Sequence, residues 1–116
     1  MPPLSSAPTM LMASLVCEPP CLFLDLRGEL DLSCVHEIPM DAYASRPDLA
    51  MVLIDAGELT FCDVAGLRAL LGFGRIHEAQ GRSVAVVRAS PVLRRLMRLC
   101  GFTDRLGFAY SDRAAC

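Results

Sequence analysis

The side chains able to do chemistry in this sequence are six cysteines, two histidines and a carboxylate, Asp63, set immediately before an apolar-periodic run. Cys17, Cys21, Cys34, Cys62, Cys100 and Cys116 are scattered along the chain. A zinc site draws its soft ligands from close pairs such as C-x-x-C, whereas the nearest two here, Cys17 and Cys21, have three residues between them. No metal site is expected, and the thiols read as free in a reducing cytosol. Three of them are redox candidates. Cys62 precedes a helix start, where the dipole favours thiolate. Cys17 and Cys21 flank Glu18-Pro19-Pro20 and would face each other across a hairpin. Cys62 and Cys100 make a poor pair, since the helix expected between its start and Cys100 is about 14 Å long and a disulfide tolerates only about 7 Å between Cα atoms.

His77 has Glu78 beside it but no serine or cysteine in a triad-like context, and reads as partly buried. Neither G-x-G-x-x-G nor a P-loop occurs, so no nucleotide cofactor is expected. With no nucleophile–base pair, no enzymatic reaction is expected either. A chain of 116 residues, 53% apolar and 21% charged, has room for one domain with one modest core. Its formal charge of −2 argues against a nucleic-acid partner. No apolar run approaches the roughly 20 residues of a membrane span. Met1–Val16 holds no basic residue, and its apolar stretch Met10–Val16 is short for an export signal, so a cytoplasmic protein is expected.

Around these residues the periodicity lays out an alternation of strands and helices. Met10–Val16 reads as a first strand, and Leu22–Arg27 as a half-buried one with Leu22, Leu24 and Leu26 inward. Ser33 is placed as N-cap of a helix over Cys34–Ser45, interrupted by Pro39. Ala50–Asp55 is a continuous apolar run suited to a parallel strand covered on both faces. Asp63 caps a helix from Val64 to about Gln80, closed by Gly81. Val84–Ala89 is a further strand. Ser90-Pro91 then starts a helix to Cys100, with Val92, Leu93, Leu96, Leu99 and Cys100 inward, Arg94, Arg95 and Arg98 outward, and Gly101 as its stop. Leu106–Tyr110 is a short last strand. The order implies an α/β domain with right-handed crossovers. Its functional edge lies at the carboxyl ends of the parallel strands, where the loops Gly28–Ser33, Leu59–Gly66 and Ala89–Pro91 are expected to meet. Asp63 as a cap contributes about 1 kcal/mol, Gly66 permits close approach of another backbone, and a β-branched Val64 exposed at a helix start suits a docking patch better than it suits stability.

Together and in this order, Leu22–Arg27 with Gly28-Glu29-Leu30-Asp31, the strand Met51–Asp55, Phe61-Cys62-Asp63-Val64-Ala65-Gly66-Leu67, the run Ala89–Leu96 and Cys100-Gly101-Phe102 resemble the landmarks of a STAS domain. This family includes bacterial anti-sigma factor antagonists. The resemblance implies a STAS-like mixed β-sheet with helices packed against it over residues 10–110, with tails at 1–9 and 111–116. In typical members the segment reads Asp-Ser-Ser-Gly-Leu, and the serine after the aspartate is phosphorylated by a partner anti-sigma kinase, which breaks the complex. Asp63, Gly66 and Leu67 match, but Val64 and Ala65 stand at the two serine positions, so the phosphoacceptor is missing. The missing acceptor leaves two readings, a permanently binding-competent antagonist or a scaffold for another partner whose control does not run through this loop. On the first, the resemblance implies a serine/threonine kinase-like, ATP-binding anti-sigma factor as partner. The contact residues would be Asp31, Ser33, Asp63, Val64, Ala65, Gly66, Leu67 and Ser90, with no cofactor, no nucleic acid and no membrane insertion, and a homodimer left open. The rival readings are an accessory subunit of an ABC transporter and a thiol switch through Cys62 or the Cys17–Cys21 pair.

Overall fold

Alternation of apolar and polar residues carries the first hairpin. Strand β1, Leu11–Glu18, runs antiparallel to β2, Cys21–Leu30, and Leu22, Leu24 and Leu26 all lie on one fully buried face. In this computed structural model, which describes residues 10–101, two further strands complete a sheet of order β1-β2-β3-β4. Strands β3, Met51–Cys62, and β4, Ser83–Ala89, pair parallel to β2 and to each other. Helix α1, Val64–Glu78, and helix α2, Pro91–Cys100, pack on the Leu22–Leu24–Leu26 face. Between sheet and helices lie Val52, Ile54, Val86, Leu70, Phe73, Leu93 and Met97, all but inaccessible to water. Each such side chain contributes about 1.5–3 kcal/mol by leaving water, so this one layer holds the domain together. The tails at 1–9 and 111–116 and the strand expected at Leu106–Tyr110 lie outside the described residues.

Four local expectations are corrected. The helix expected over Cys34–Ser45 is a short 3₁₀ helix, Leu32–Glu37, and its N-cap is Asp31, not Ser33. The Asp31 carboxylate accepts the Ser33 amide at 2.9 Å, so the cap forms two residues earlier. Ile38 is extended because it precedes Pro39, and turns follow to residue 45. Next, β3 does not stop at Asp55 but continues through Cys62, paired with β2 up to Leu30. The register slips between Asp25 and Arg27 and again between Gly28 and Glu29, where β3 carries extra residues. Such bulges break the period-two pattern, which is why Gly57–Cys62 reads as a loop.

Helix α1 ends at Glu78 with Ala79 as its C-cap, and Gly81 takes the left-handed conformation in the turn beyond, at φ +85°. In α2 the buried pair is Leu93 and Met97, whereas Val92 is 38% and Leu99 73% exposed. The helix meets the sheet along one i, i+4 stripe, too narrow for five inward positions. Ser90 as N-cap, Pro91 at the first turn and left-handed Gly101 as the stop stand as expected.

Candidate functional site

The site grows from the extended ends of β2 and β3. Asp63 follows the last residue of β3, its amide donates to the Leu30 carbonyl at 3.2 Å, and its carboxylate is divided between two elements. One oxygen, Oδ1, accepts the Gly66 amide at 2.7 Å and caps α1; the other, Oδ2, accepts the Leu32 amide at 3.2 Å. One side chain therefore fixes the start of α1 to the start of the 3₁₀ helix. Gly66 makes the fit sterically feasible, since a Cβ there would stand 2.5 Å from the Leu30 carbonyl oxygen. The two loops Gly28–Ser33 and Leu59–Gly66 thus form a single rim.

Asp31 organises the other half of that rim. Its Oδ1 accepts both the Ser33 amide, at 2.9 Å, and the Ser33 hydroxyl, at 2.6 Å. The Ser33 hydroxyl is the main reason that the Asp31 carboxyl sits below the usual carboxylate range. The Asp31 amide donates to the Cys34 sulfur at 3.3 Å, and that thiol donates to the Glu29 carbonyl at 3.2 Å. Desolvation raises the Cys34 thiol above its ordinary value. Above this polar base stand uncharged side chains: Val64, 44% exposed, and Leu32, 70% exposed, flank Asp63, and Phe61 is exposed nearby on β3. The rim offers water an apolar surface while its carboxylates face its own amides.

The expected contact residues separate into two groups. Asp31, Ser33, Asp63, Val64 and Ala65 lie on the rim with surface accessible to water. Gly66 and Leu67 are buried beneath it, and Leu67 is a core side chain that presents nothing outward. Ser90 does not reach the rim. Its amide donates to the Ala56 carbonyl at 3.0 Å, six residues before Cys62, which is roughly 15–20 Å back along a bulged strand. Ser90 is buried, and its hydroxyl accepts the Leu93 amide as a helix cap. Two of the three expected loops meet; Ala89–Pro91 is set back because β4 ends level with Ala56 while β2 and β3 run on. Leu32 is the residue that sequence reasoning missed. Its signal was the Asp31-x-Ser33 turn, which moves the cap forward and leaves Leu32 outside the period of β2.

The thiol expectations change in the same way. Cys62 is buried, and desolvation first, with the Asp63 charge second, pushes its thiol up to about 12, so the helix dipole does not prevail. Its thiolate is therefore scarce at neutral pH. Cys17 pairs with Leu22 and Cys21 with Glu18, so the two cysteines point to opposite faces of the sheet and do not meet across the turn. Cys17 is a free thiol, whereas Cys21 is disulfide-bonded, so the expectation of free thiols does not hold for Cys21. Cys62 and Cys100 are not paired with each other, and both are free thiols.

His77 is fully buried against Phe73, with ring centroids 4.7 Å apart. Its Nδ1 accepts from Arg82 at 2.6 Å. Burial first, then the Arg82 charge, holds the ring below its ordinary titration range. Among the described residues no helix is long and apolar enough to cross a membrane.

Comparison with known proteins agrees with this fold. The family described as "Mlab, STAS domain" matches residues 15–107. The unphosphorylated anti-sigma factor antagonist SpoIIAA is similar over 90% of both chains, at 20% identity and a TM-score of 0.66. An anti-sigma factor antagonist from Mycobacterium paratuberculosis covers 90% of both chains at 18% identity and a TM-score of 0.66. An antisigma-factor antagonist STAS domain from Rhodobacter sphaeroides covers 72% of this chain and 94% of its own, at 22% identity and a TM-score of 0.56. No curated protein sequence matches the chain.

Proposed function

The chain belongs to the STAS domain family, and from that premise we propose that it is an anti-sigma factor antagonist, acting in the cytoplasm by contact rather than by catalysis. Its partner on this reading is an anti-sigma factor of the ATP-binding serine/threonine kinase kind, and binding releases a sigma factor to transcription. The observation that carries the reading is the rim itself: Val64 stands half-exposed directly after the capping Asp63, beside an exposed Leu32, on two loops locked by one carboxylate. Such a surface gains by burial against a partner, at about 25 cal/mol per Å² of apolar area covered.

Phosphorylation adds about −1.5 to −2 charge, and at the centre of an apolar contact that charge opposes docking. Val64 and Ala65 carry no hydroxyl, so this rim has no acceptor at the family position and the complex persists when the kinase holds ATP. Of the contacts named from the sequence, Asp31, Ser33, Asp63, Val64 and Ala65 remain in this proposal, with Leu32 added. Gly66 and Leu67 lie buried beneath the rim, and Ser90, set back along the sheet, caps α2.

Titration of the purified protein into anti-sigma kinases from the same genome, with and without ATP, tests the proposal. The expected result is one saturable complex, unaffected by ATP, with no phosphate on Val64 or Ala65. Val64→Glu is expected to abolish it while leaving the fold intact, and Val64→Ser to make it sensitive to ATP. Absence of any complex overturns the proposal, and binding to a transport ATPase instead would favour the accessory-subunit reading. The thiol-switch reading has less support: Cys62 is buried, and Cys21, which is disulfide-bonded, lies on the face of the sheet opposite to the free Cys17.

A further inference from the structure

Charge in this chain is divided along its length. Residues 10–63 contain ten carboxylates against two arginines, Arg27 and Arg46, whereas residues 64–101 contain seven arginines against a single carboxylate, Glu78. In the second group Arg88 is paired with Asp55 and Glu58, and Arg82 is buried against His77. The other five, Arg68, Arg75, Arg94, Arg95 and Arg98, are exposed on α1 and α2 and have no ion pair among the described residues. An unneutralised cluster of one sign raises a local potential that attracts its complement.

The surface between these arginines is shaped as well as charged. On α1 a furrow of about 340 Å³ is lined by Arg68, Leu71, Gly72 and Arg75. Arg68 and Arg75 are seven residues apart, so they stand about 10 Å from each other along one side of the helix. Gly72 puts no side chain into the furrow, and a Cβ there would stand 3.2 Å from the tip of Met40. Helix α2 contacts α1 and adds its own arginines, together with the outward Val92 and Leu99. A concave apolar floor between two guanidinium groups suits a side chain flanked by two carboxylates, and guanidinium binds carboxylate in a two-pronged geometry. A flat layer of lipid headgroups would not use the furrow. The exposed apolar side chains of α2, Val92 and Leu99, are too few to anchor a membrane-surface helix.

We propose that the outer face of α1, extended by α2, is a second docking surface whose occupant is an acidic polypeptide segment, with two carboxylates about 10 Å apart pairing Arg68 and Arg75 around an apolar side chain seated over Leu71 and Gly72. This surface uses none of the rim residues and does not depend on the anti-sigma reading.

The experiment titrates the whole protein with a labelled helical peptide carrying two glutamates seven residues apart and a leucine midway. Its glutamine counterpart, phosphatidylglycerol vesicles and single-stranded DNA are titrated in parallel. Saturable binding is expected for the glutamate peptide alone. Arg68→Gln/Arg75→Gln is expected to weaken it about tenfold or more, with an unchanged circular dichroism spectrum, since both side chains are exposed. Equal binding by the variant, equal binding of the glutamine peptide, or no saturable binding would overturn the proposal. So would binding to vesicles or DNA in place of the peptide, which would assign the face to a phosphate-bearing surface.

Discussion

Asp63 uses both carboxylate oxygens on its own chain, one for Gly66 and one for Leu32, so its contribution to recognition is positional. Loss of a helix cap alone costs about 0.5–2 kcal/mol. Asp63→Ala removes the inter-loop bond as well and is expected to fall at or beyond the upper end of that range. Asp63→Asn keeps one acceptor oxygen for the cap and puts an amide nitrogen where the Leu32 amide needs an acceptor, so an intermediate loss is expected. Urea unfolding of the two variants, read as a shift of midpoint, measures both. His77 supplies a second residue-scale expectation. To accept from Arg82 at Nδ1 the ring must be neutral, with its proton on Nε2. Its titration is depressed in the fold below the ordinary 6.5. A depressed group contributes stability that is complete above the unfolded value and is lost as pH falls through the folded one. The unfolding midpoint is therefore expected to hold above about pH 6.5 and to decline below it. His77→Gln is expected to flatten that decline.

At the scale of elements, the site depends on how closely α1 approaches the end of β2. Gly66→Ala places a methyl group 2.5 Å from the Leu30 carbonyl oxygen and 2.7 Å from its Cγ, and the first of these atoms is backbone and cannot turn aside. Overpacking of this kind costs about 1–3 kcal/mol. We expect Gly66→Ala to lower the thermal midpoint by several degrees and to weaken partner binding more than its stability loss explains, because the displaced helix carries Val64 with it. Calorimetry for the first effect and titration for the second separate the two. Gly72→Ala is the informative companion, since the atom it meets is the flexible end of Met40. A much smaller loss is expected there.

For the whole molecule, two surfaces of different physics share one small sheet. The rim is apolar over carboxylates already engaged by their own backbone, whereas the α1–α2 face is basic and unneutralised among the described residues. Salt distinguishes them. Between about 0.1 M and about 1 M the Debye length falls from about 10 Å to about 3 Å. Binding of an acidic peptide to the helix face is expected to collapse over that range, while binding at the rim changes little. Isothermal titration of both at the two salt concentrations measures the contrast, and equal salt dependence would count against the division of roles.

The sequence by itself determined whatever depends on near neighbours in the chain. The caps Asp63 and Ser90, the left-handed stop at Gly101, the inward leucines of β2 and the missing hydroxyls at Val64 and Ala65 are local chemistry, legible residue by residue. Only the tertiary structure decided what depends on register and on how far each strand runs. Bulges carry β3 on to Cys62, and because β4 stops level with Ala56, Ser90 falls away from the rim. Which arginines on α1 and α2 have no ion pair among the described residues was settled in the same way, by contacts between residues distant in sequence. A one-residue slip in pairing reverses the face of every following side chain, and no local pattern in the chain encodes where such a slip occurs.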